Sequence, residues 1–268
     1  METTGHPARR RSPSATRPLG RERLRRAAYR LRFVGDDLLR WPRSWYRWLA
    51  RPSRVRLHGV ELAVDDRLGP GARREILDGR YERGEVFALL SRLQAGDRVM
   101  EFGTGIGLLA ILAARRVGSD AVVTYEANPR NLPLIRDNFR RNQVDPRLVE
   151  GAIGVGRGRA SLHVGRDHQG ASTVDSAAGG GEALDVPRID AAAEVARFRP
   201  SFLIVDIEGV ERDVVPAIDW SPVERLLLEL HPRRFGPGDE ERILDHLLAV
   251  GFRLDPIVSS SRKLFFSR

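Results

Sequence analysis

The 268-residue sequence predicts a doubly wound α/β domain with a mostly parallel sheet, preceded by a basic helical arm. Short apolar runs of strand length recur at 99–102, 121–126, 202–206 and 225–230, each with a carboxylate at or beside its end. Runs of this kind, with no polar alternation, belong to strands covered on both faces. Between the first two, a glycine-rich turn at 103–107 leads straight into an apolar helix, the strand–turn–helix order of a crossover unit. Charge also divides the chain. Residues 1–56 hold 16 basic and 4 acidic side chains, a balance of +12, whereas residues 57–268 hold 29 and 32, a balance of −3. The predicted organisation is a disordered basic tail (1–20), a basic amphipathic arm (21–56) and one domain (57–268), whose length suffices for a single well-buried core.

There is no cysteine. That excludes a disulfide framework, a thiolate-ligated metal and a thiolate nucleophile. The charge-free stretch at 103–114 is far short of the roughly 20 apolar residues of a membrane span. No apolar segment follows Arg9-Arg10-Arg11, so no secretory or twin-arginine signal is read, although residues 7–32 have the composition of an organellar presequence. In the arm, Leu24, Ala28, Leu31, Val34 and Leu38 share one helical face while Arg23, Arg26, Arg30 and Arg40 lie elsewhere. Trp41, Trp45, Tyr46 and Trp48 follow among arginines. Three readings of this arm stand: an interfacial membrane helix, a nucleic-acid arm, or a face docked on its own domain or a second subunit. The expected location is the cytoplasm, with peripheral membrane contact through 21–50 as the variant.

The domain opens with an alternating pattern at 55–64 around Gly59, read as a short hairpin, and two helices follow by spacing at 73–77 and 85–93. The stretch after Asp97 is the most informative. A strand (99–102) runs into Gly103-Thr104-Gly105-Ile106-Gly107 and a helix to about Arg116. Glycines permit the sharp turn and a close ligand approach, and the helix start offers free N–H groups. A dinucleotide fingerprint needs a third glycine at the sixth position, which is Leu108. Glu101 points the same way, because a carboxylate beside the turn repels phosphate and suits a ligand carrying a sulfonium and an ammonium. S-adenosylmethionine is that ligand. Glu126, about 20 residues past the loop at the tip of the next strand, is placed for the two ribose hydroxyls. Asn128-Pro129 opens a helix to about Asn142, and a third strand is expected at 147–153, its small residues letting the adenine lie against backbone.

These segments, together with Gly151-Ala152-Ile153-Gly154, Val205-Asp206-Ile207-Glu208-Gly209-Val210-Glu211 and Leu228-Glu229-Leu230-His231, resemble the FkbM-type methyltransferases, a class I S-adenosylmethionine-dependent family. The resemblance covers about residues 80–255, and its most specific piece is 206–211. The sequence departs from the family pattern at Glu101, at Thr104-Gly105 and at Val205, where the family usually has lysine. The resemblance implies a Rossmann-like seven-stranded sheet closed by an antiparallel C-terminal hairpin (251–255 with 263–267), O-methylation of a hydroxyl on a small molecule, a sugar or a secondary metabolite, and no obligatory metal. The expected cofactor-binding set is Tyr81, Glu101, Gly103, Thr104, Gly105, Gly107, Glu126, Asn128, Ala152 and Asp206.

Residues 156–181 read as a long, glycine-rich and weakly structured loop able to cover a substrate, with strand-like pieces at 160–164 and 171–174. Asp206, Glu208 and His231 are the candidates for the base that deprotonates an acceptor, with His231 able to act near neutral pH and Glu208 needing burial to do so. Asp206 is also placed to cap a helix starting near Val210. The same three residues have the chemistry of a hard divalent-ion site, though no metal is expected. Two competing readings are a nucleic-acid-directed methyltransferase guided by the arm, and a cofactor-fold binding protein without catalysis.

Overall fold

The computed structural model describes residues 49–50, 52–164, 171–172, 182–260 and 262–268. The expected tail, the helix expected at 21–39 and Trp41, Trp45, Tyr46 and Trp48 lie outside these residues. Among the described residues no helix is long and apolar enough to cross a membrane.

Strands β1 (Arg54–Leu57) and β2 (Val60–Ala63) form the expected antiparallel hairpin, beginning three residues ahead of the boundary expected at residue 57. His58 and Gly59 both have positive φ (50° and 81°), the backbone of a tight two-residue turn. Helices α1 (Pro70–Asp78) and α2 (Arg83–Arg92) lead to strand β3 (Val99–Phe102), and α3 (Leu108–Val117) follows the glycine turn. Then come β4 (Val122–Glu126), α4 (Leu132–Arg141) and β5 (Arg147–Glu150). The expected single strand at 147–153 is interrupted. Gly151 has φ 149°, and a Cβ there would lie 2.7 Å from Ile189 Cδ1 and 2.9 Å from the Pro187 carbonyl oxygen, so the chain bends and continues as β6 (Ala152–Gly154) in a second sheet. That sheet takes β7 (Gly158–Val164), β8 (Ala171–Ser172) and β9 (Glu182–Asp190) in the order β6-β9-β7-β8.

Helix α5 (Ala191–Phe198), capped by Asp190 through the Ala192 N–H, precedes β10 (Phe202–Val205). A short helix α6 (Glu211–Val214), β11 (Arg225–Glu229), α7 (Asp239–Ala249), β12 (Arg253–Leu254) and β13 (Lys263–Ser267) complete the chain. The main sheet has seven strands in the order β12-β13-β11-β10-β3-β4-β5. The five strands from β11 to β5 are parallel, and β13 is inserted antiparallel between β11 and β12. The C-terminal pair therefore closes the sheet as expected.

Alternation along the central strands sorts the core onto two faces. Val99, Val122, Phe202 and Ile204 join α1 to α4 on one face, while Met100, Phe102, Val123, Tyr125, Leu203 and Val205 join α5 to α7 on the other. Neighbouring β3 is paired with β4 on one side and β10 on the other, so chain direction across the sheet reverses there. A crevice forms outside the carboxyl ends of these three strands.

Two asparagines one helical turn apart tie the first hairpin to this framework. Asn138 accepts from the Ala63 N–H and donates to the Ile106 carbonyl, both at 2.9 Å, and Asn142 accepts from and donates to the backbone of Glu61. Asn138 is wholly buried, so Asn138→Ala leaves a donor and an acceptor without partners in the core. The expected loss is about 2–3 kcal/mol of unfolding free energy, measured by urea denaturation. A loss below about 0.5 kcal/mol would show that water replaces the amide.

Candidate active site

The glycine turn is held by strand β4. The Gly103 and Thr104 N–H groups both donate to the Tyr125 carbonyl, at 3.0 and 3.1 Å, and Gly107 N–H donates back to Thr104. Gly103 has φ 95° and Gly105 φ 58°. Together they bring the backbone past the end of β10 and open a cleft of about 770 Å³, lined by Tyr81, Glu82, Gly103, Gly105, Glu126, Ala152, Asp206 and Glu208 among others. Ile153 and Leu162, from the second sheet, give it an apolar wall.

Glu126 is nearly buried and links both sides of this cleft. Its Oε2 accepts from the Gly105 N–H at 3.1 Å, and its Oε1 accepts from the Asn128 N–H and the Asn131 amide. Burial nonetheless outweighs these hydrogen bonds and pushes its carboxyl up to about 7.

Of the expected cofactor residues, Tyr81, Gly103, Gly105, Glu126, Ala152 and Asp206 line the cleft, and four stand behind it. Glu101 shares the face of Val99 rather than the strand tip. It is buried and accepts from Thr124, whose hydroxyl in turn receives that of Thr104, so the three form a relay beneath the turn. Burial raises Glu101 to about 8, and the charges of Glu126 and Asp206 add to the rise. Gly107 faces α4: a Cβ there would lie 2.7 Å from the Phe139 ring, so this glycine serves helix packing. Asn128 is buried and positions Glu126 through its backbone.

The far side gathers the three expected catalytic residues, although β10 and β11 separate them in sequence. His231 Nε2 lies 3.6 Å from Asp206 Oδ1 and 3.6 Å from Glu208 Oε2, and its Nδ1 is 2.7 Å from Oε1 of the fully buried Glu211. Glu208 adopts φ 53° and is 3.5 Å from Arg234 Nε, while Gly209 lies against the Arg234 stem, where a Cβ would come within 2.8 Å. A non-glycine residue in the left-handed region is strained by about 1–3 kcal/mol, and here the strain holds a carboxylate at the cleft.

Two expectations change at this site. Asp206 makes no cap for α6, whose first turn has no side-chain hydrogen bond, because Asp206 is turned toward the cleft. His231 is not a base poised near neutrality. Burial alone would lower it, but the Glu211 hydrogen bond and the Asp206 and Glu208 charges push it up to about 9, so it is an imidazolium at neutral pH. It stands behind the two carboxylates and does not line the cleft. Asp206 moves well above the usual carboxylate range through burial and the charge of Glu229. Ligand-type atoms of Asp206, Glu208 and His231 fall within 4.8 Å of one another, and the imidazolium already supplies the compensating positive charge.

Sequence reasoning missed Glu82, which lines the cleft from the start of α2, outside any motif. Glu211, which the sequence places facing the same opening from the next helix, is instead fully buried and is the partner that orients His231.

A family model described as ribosomal protein L11 methyltransferase (PrmA) matches residues 84–158, the stretch from α2 through β6 that holds the glycine turn and Glu126. The ribosomal protein L11 methyltransferase of Thermus thermophilus is 42% identical over 66 residues, 25% of this chain and 25% of that protein. Its counterpart in Chloroflexus aurantiacus is 39% identical over 72 residues, 26% and 22% of the two chains. The chain thus matches about a quarter of the length of these relatives. Among solved structures, the ribosomal protein L11 methylase from Lactobacillus delbrueckii subsp. bulgaricus aligns over 70% of this chain and 78% of its own, with 12% identity and a TM-score of 0.42. The fold and the matched segment define a class I S-adenosylmethionine-dependent methyltransferase domain. Its cofactor is S-adenosylmethionine. The relatives are named for a protein substrate, which overturns the expected small-molecule hydroxyl acceptor.

Proposed function

We propose that the protein is a methyltransferase that moves the methyl group of S-adenosylmethionine to an amine nitrogen of a protein substrate. One observation supports this above others. Four carboxylates, Glu82, Glu126, Asp206 and Glu208, line the cleft, and among the described residues none of its lining side chains is basic. Such a cleft favours cationic ligands, and an amine of a protein arrives as an ammonium. The relatives named for methylation of a ribosomal protein support a protein acceptor.

In this reading Glu126 takes the ribose hydroxyls, and Gly103 and Gly105 give the cofactor its close approach. The cofactor supplies an electrophilic methyl on a sulfonium sulfur. Asp206 and Glu208 hold the acceptor ammonium in line, and Asp206, with its raised carboxyl, takes the proton that the nitrogen must lose. His231, oriented by Glu211, keeps the two carboxylates apart from each other's charge. The segment 206–211 keeps the FkbM-type pattern and forms the acceptor half, joined to a cofactor half of the L11-methyltransferase type. Division into a basic tail (1–20), an arm (21–56) and a catalytic domain (57–268), and a cytoplasmic location, belong to the same proposal.

The test is incubation of the full chain with methyl-labelled cofactor and a bacterial ribosome preparation, followed by separation of protein, RNA and small molecules. Label is expected in protein, on amino groups, and Asp206→Asn is expected to lower the rate about 10²-fold while S-adenosylhomocysteine binding changes less than about threefold. Label confined to RNA or to small molecules overturns the reading.

A further inference from the structure

Glu82 is built into the cleft at a cost in backbone conformation. It precedes α2 with φ 47° and ψ 28°, in the left-handed region that a non-glycine residue rarely adopts. This conformation sets the carboxylate against the glycine turn. A Cβ added at Gly105 would lie 3.3 Å from Glu82 Oε1 and 3.0 Å from the Tyr81 hydroxyl, which hydrogen-bonds Glu82. Glu82 Oε2 is buried and has no hydrogen-bond partner. Nearby Lys263, the single lysine of the chain, does not fill that role, since it pairs with Glu85 and lies 3.5 Å from Glu229.

A buried carboxylate oxygen without a donor is expensive to maintain unless a ligand brings one. Among the described residues no basic side chain lines the cleft, so a cationic donor would arrive with the ligand. S-adenosylmethionine carries two positive centres, and only one of them has hydrogens to give: the sulfonium cannot donate, while the α-ammonium carries three N–H groups. Glu126, on the other side of Gly105, already accepts from that residue's N–H and, in the proposed function, takes the ribose hydroxyls. The amino-acid end of the cofactor then falls beside Glu82.

We infer that Glu82, with the Tyr81 hydroxyl, receives the α-ammonium of the cofactor and so fixes the position of its methionine end. The inference rests on the cofactor and is independent of the acceptor. Without the ligand, burial and the charge of Glu101 push the Glu82 carboxyl up to about 8, as a site awaiting a cation would show. Glutamine is close in shape to that protonated form, so Glu82→Gln retains the fold.

The experiment is a double-mutant cycle in binding, read by calorimetry at pH 7.5 on the full chain. Wild type and Glu82→Gln are each titrated with S-adenosylhomocysteine and with its analogue lacking the α-amino group. In wild type, loss of the amino group is expected to weaken binding about 10- to 100-fold, as for a hydrogen bond to a charged partner. In Glu82→Gln that difference is expected to shrink to less than about threefold, with the analogue binding the two proteins equally well. Losses that simply add, or an unchanged affinity of Glu82→Gln for S-adenosylhomocysteine, overturn the assignment.

Discussion

Gly103→Ala is expected to eliminate measurable S-adenosylhomocysteine binding and to lower the unfolding midpoint by roughly 6–12 °C. The reason is steric as well as conformational. Gly103 has φ 95°, and a Cβ on it would stand 1.9 Å from the Asp206 carbonyl oxygen and 3.0 Å from its carbonyl carbon. A side chain in that position could rotate away, but this obstacle is backbone. It is also anchored, because Asp206 N–H donates to the Phe102 carbonyl at 2.9 Å and continues the pairing of β10 with β3. Relief requires the strand ends to part, and those ends carry Asp206 and the glycine turn. A cost of about 3 kcal/mol or more follows, which for a domain of this size corresponds to the midpoint shift given. Gly79→Ala is the control. Gly79 ends α1 with φ 72° and ψ 26°, and a Cβ there meets only Leu57 at 4.0 Å. Its cost should be about 1 kcal/mol, with cofactor binding unchanged. Equal effects of the two substitutions would mean that conformation alone matters and that the approach of β3 to β10 is not tight.

That approach also explains what could be read in the sequence. Strands β3, β4, β10 and β11 were legible because each is an apolar run bounded by glycine or a carboxylate, and the glycine turn because its spacing excluded the dinucleotide alternative. Glu126 was legible as the polar end of such a run. Glu101 was not, in its orientation: all four residues of Val99–Phe102 are buried, so nothing in their polarity tells which face the carboxylate takes. The break at Gly151 depends on Ile189 and Pro187, nearly forty residues away, and local pattern holds no trace of them. Glu82 lies between two helices in no motif, and its only signal is the Tyr-Glu pair ahead of an apolar helix. His231 was found as a strand-end residue, but its charge state follows from Glu211, which becomes its partner only when β10 and β11 lie side by side. The identities of strand-end residues were therefore readable, and the orientations and charge states set by partners on other strands were not.

The ligand-free protein is expected to lose stability as pH rises from 6 to 8.5, with a fall in unfolding midpoint of roughly 8–16 °C. In the folded chain Glu101 titrates at about 8 and Glu126 at about 7, both raised first by burial. In the unfolded chain both ionise near the ordinary glutamate value of about 4.3. Between these limits the folded state binds more protons, so stability falls with pH. The contribution of each group is full below its unfolded value and is lost as pH rises through the folded one. His231 works in the same direction: raised from 6.5 to about 9, it stabilises the fold fully below 6.5 and less as pH climbs through 9. Carboxylates held low by arginines, such as Asp65 and Asp137, act in the opposite sense but only at more acidic pH, since they are ionised in both states by pH 6. With one pH unit worth about 1.4 kcal/mol per proton, Glu101 and Glu126 together account for about 4 kcal/mol over this interval. Glu82, raised to about 8 as well, adds to the slope, so Glu82→Gln should flatten the profile in part. Thermal unfolding followed by circular dichroism at half-unit steps of pH checks both statements. A midpoint that is level or rises across the interval would show that these carboxylates are already ionised in the folded, ligand-free chain. The cleft would then carry its negative charge before any cationic ligand arrives.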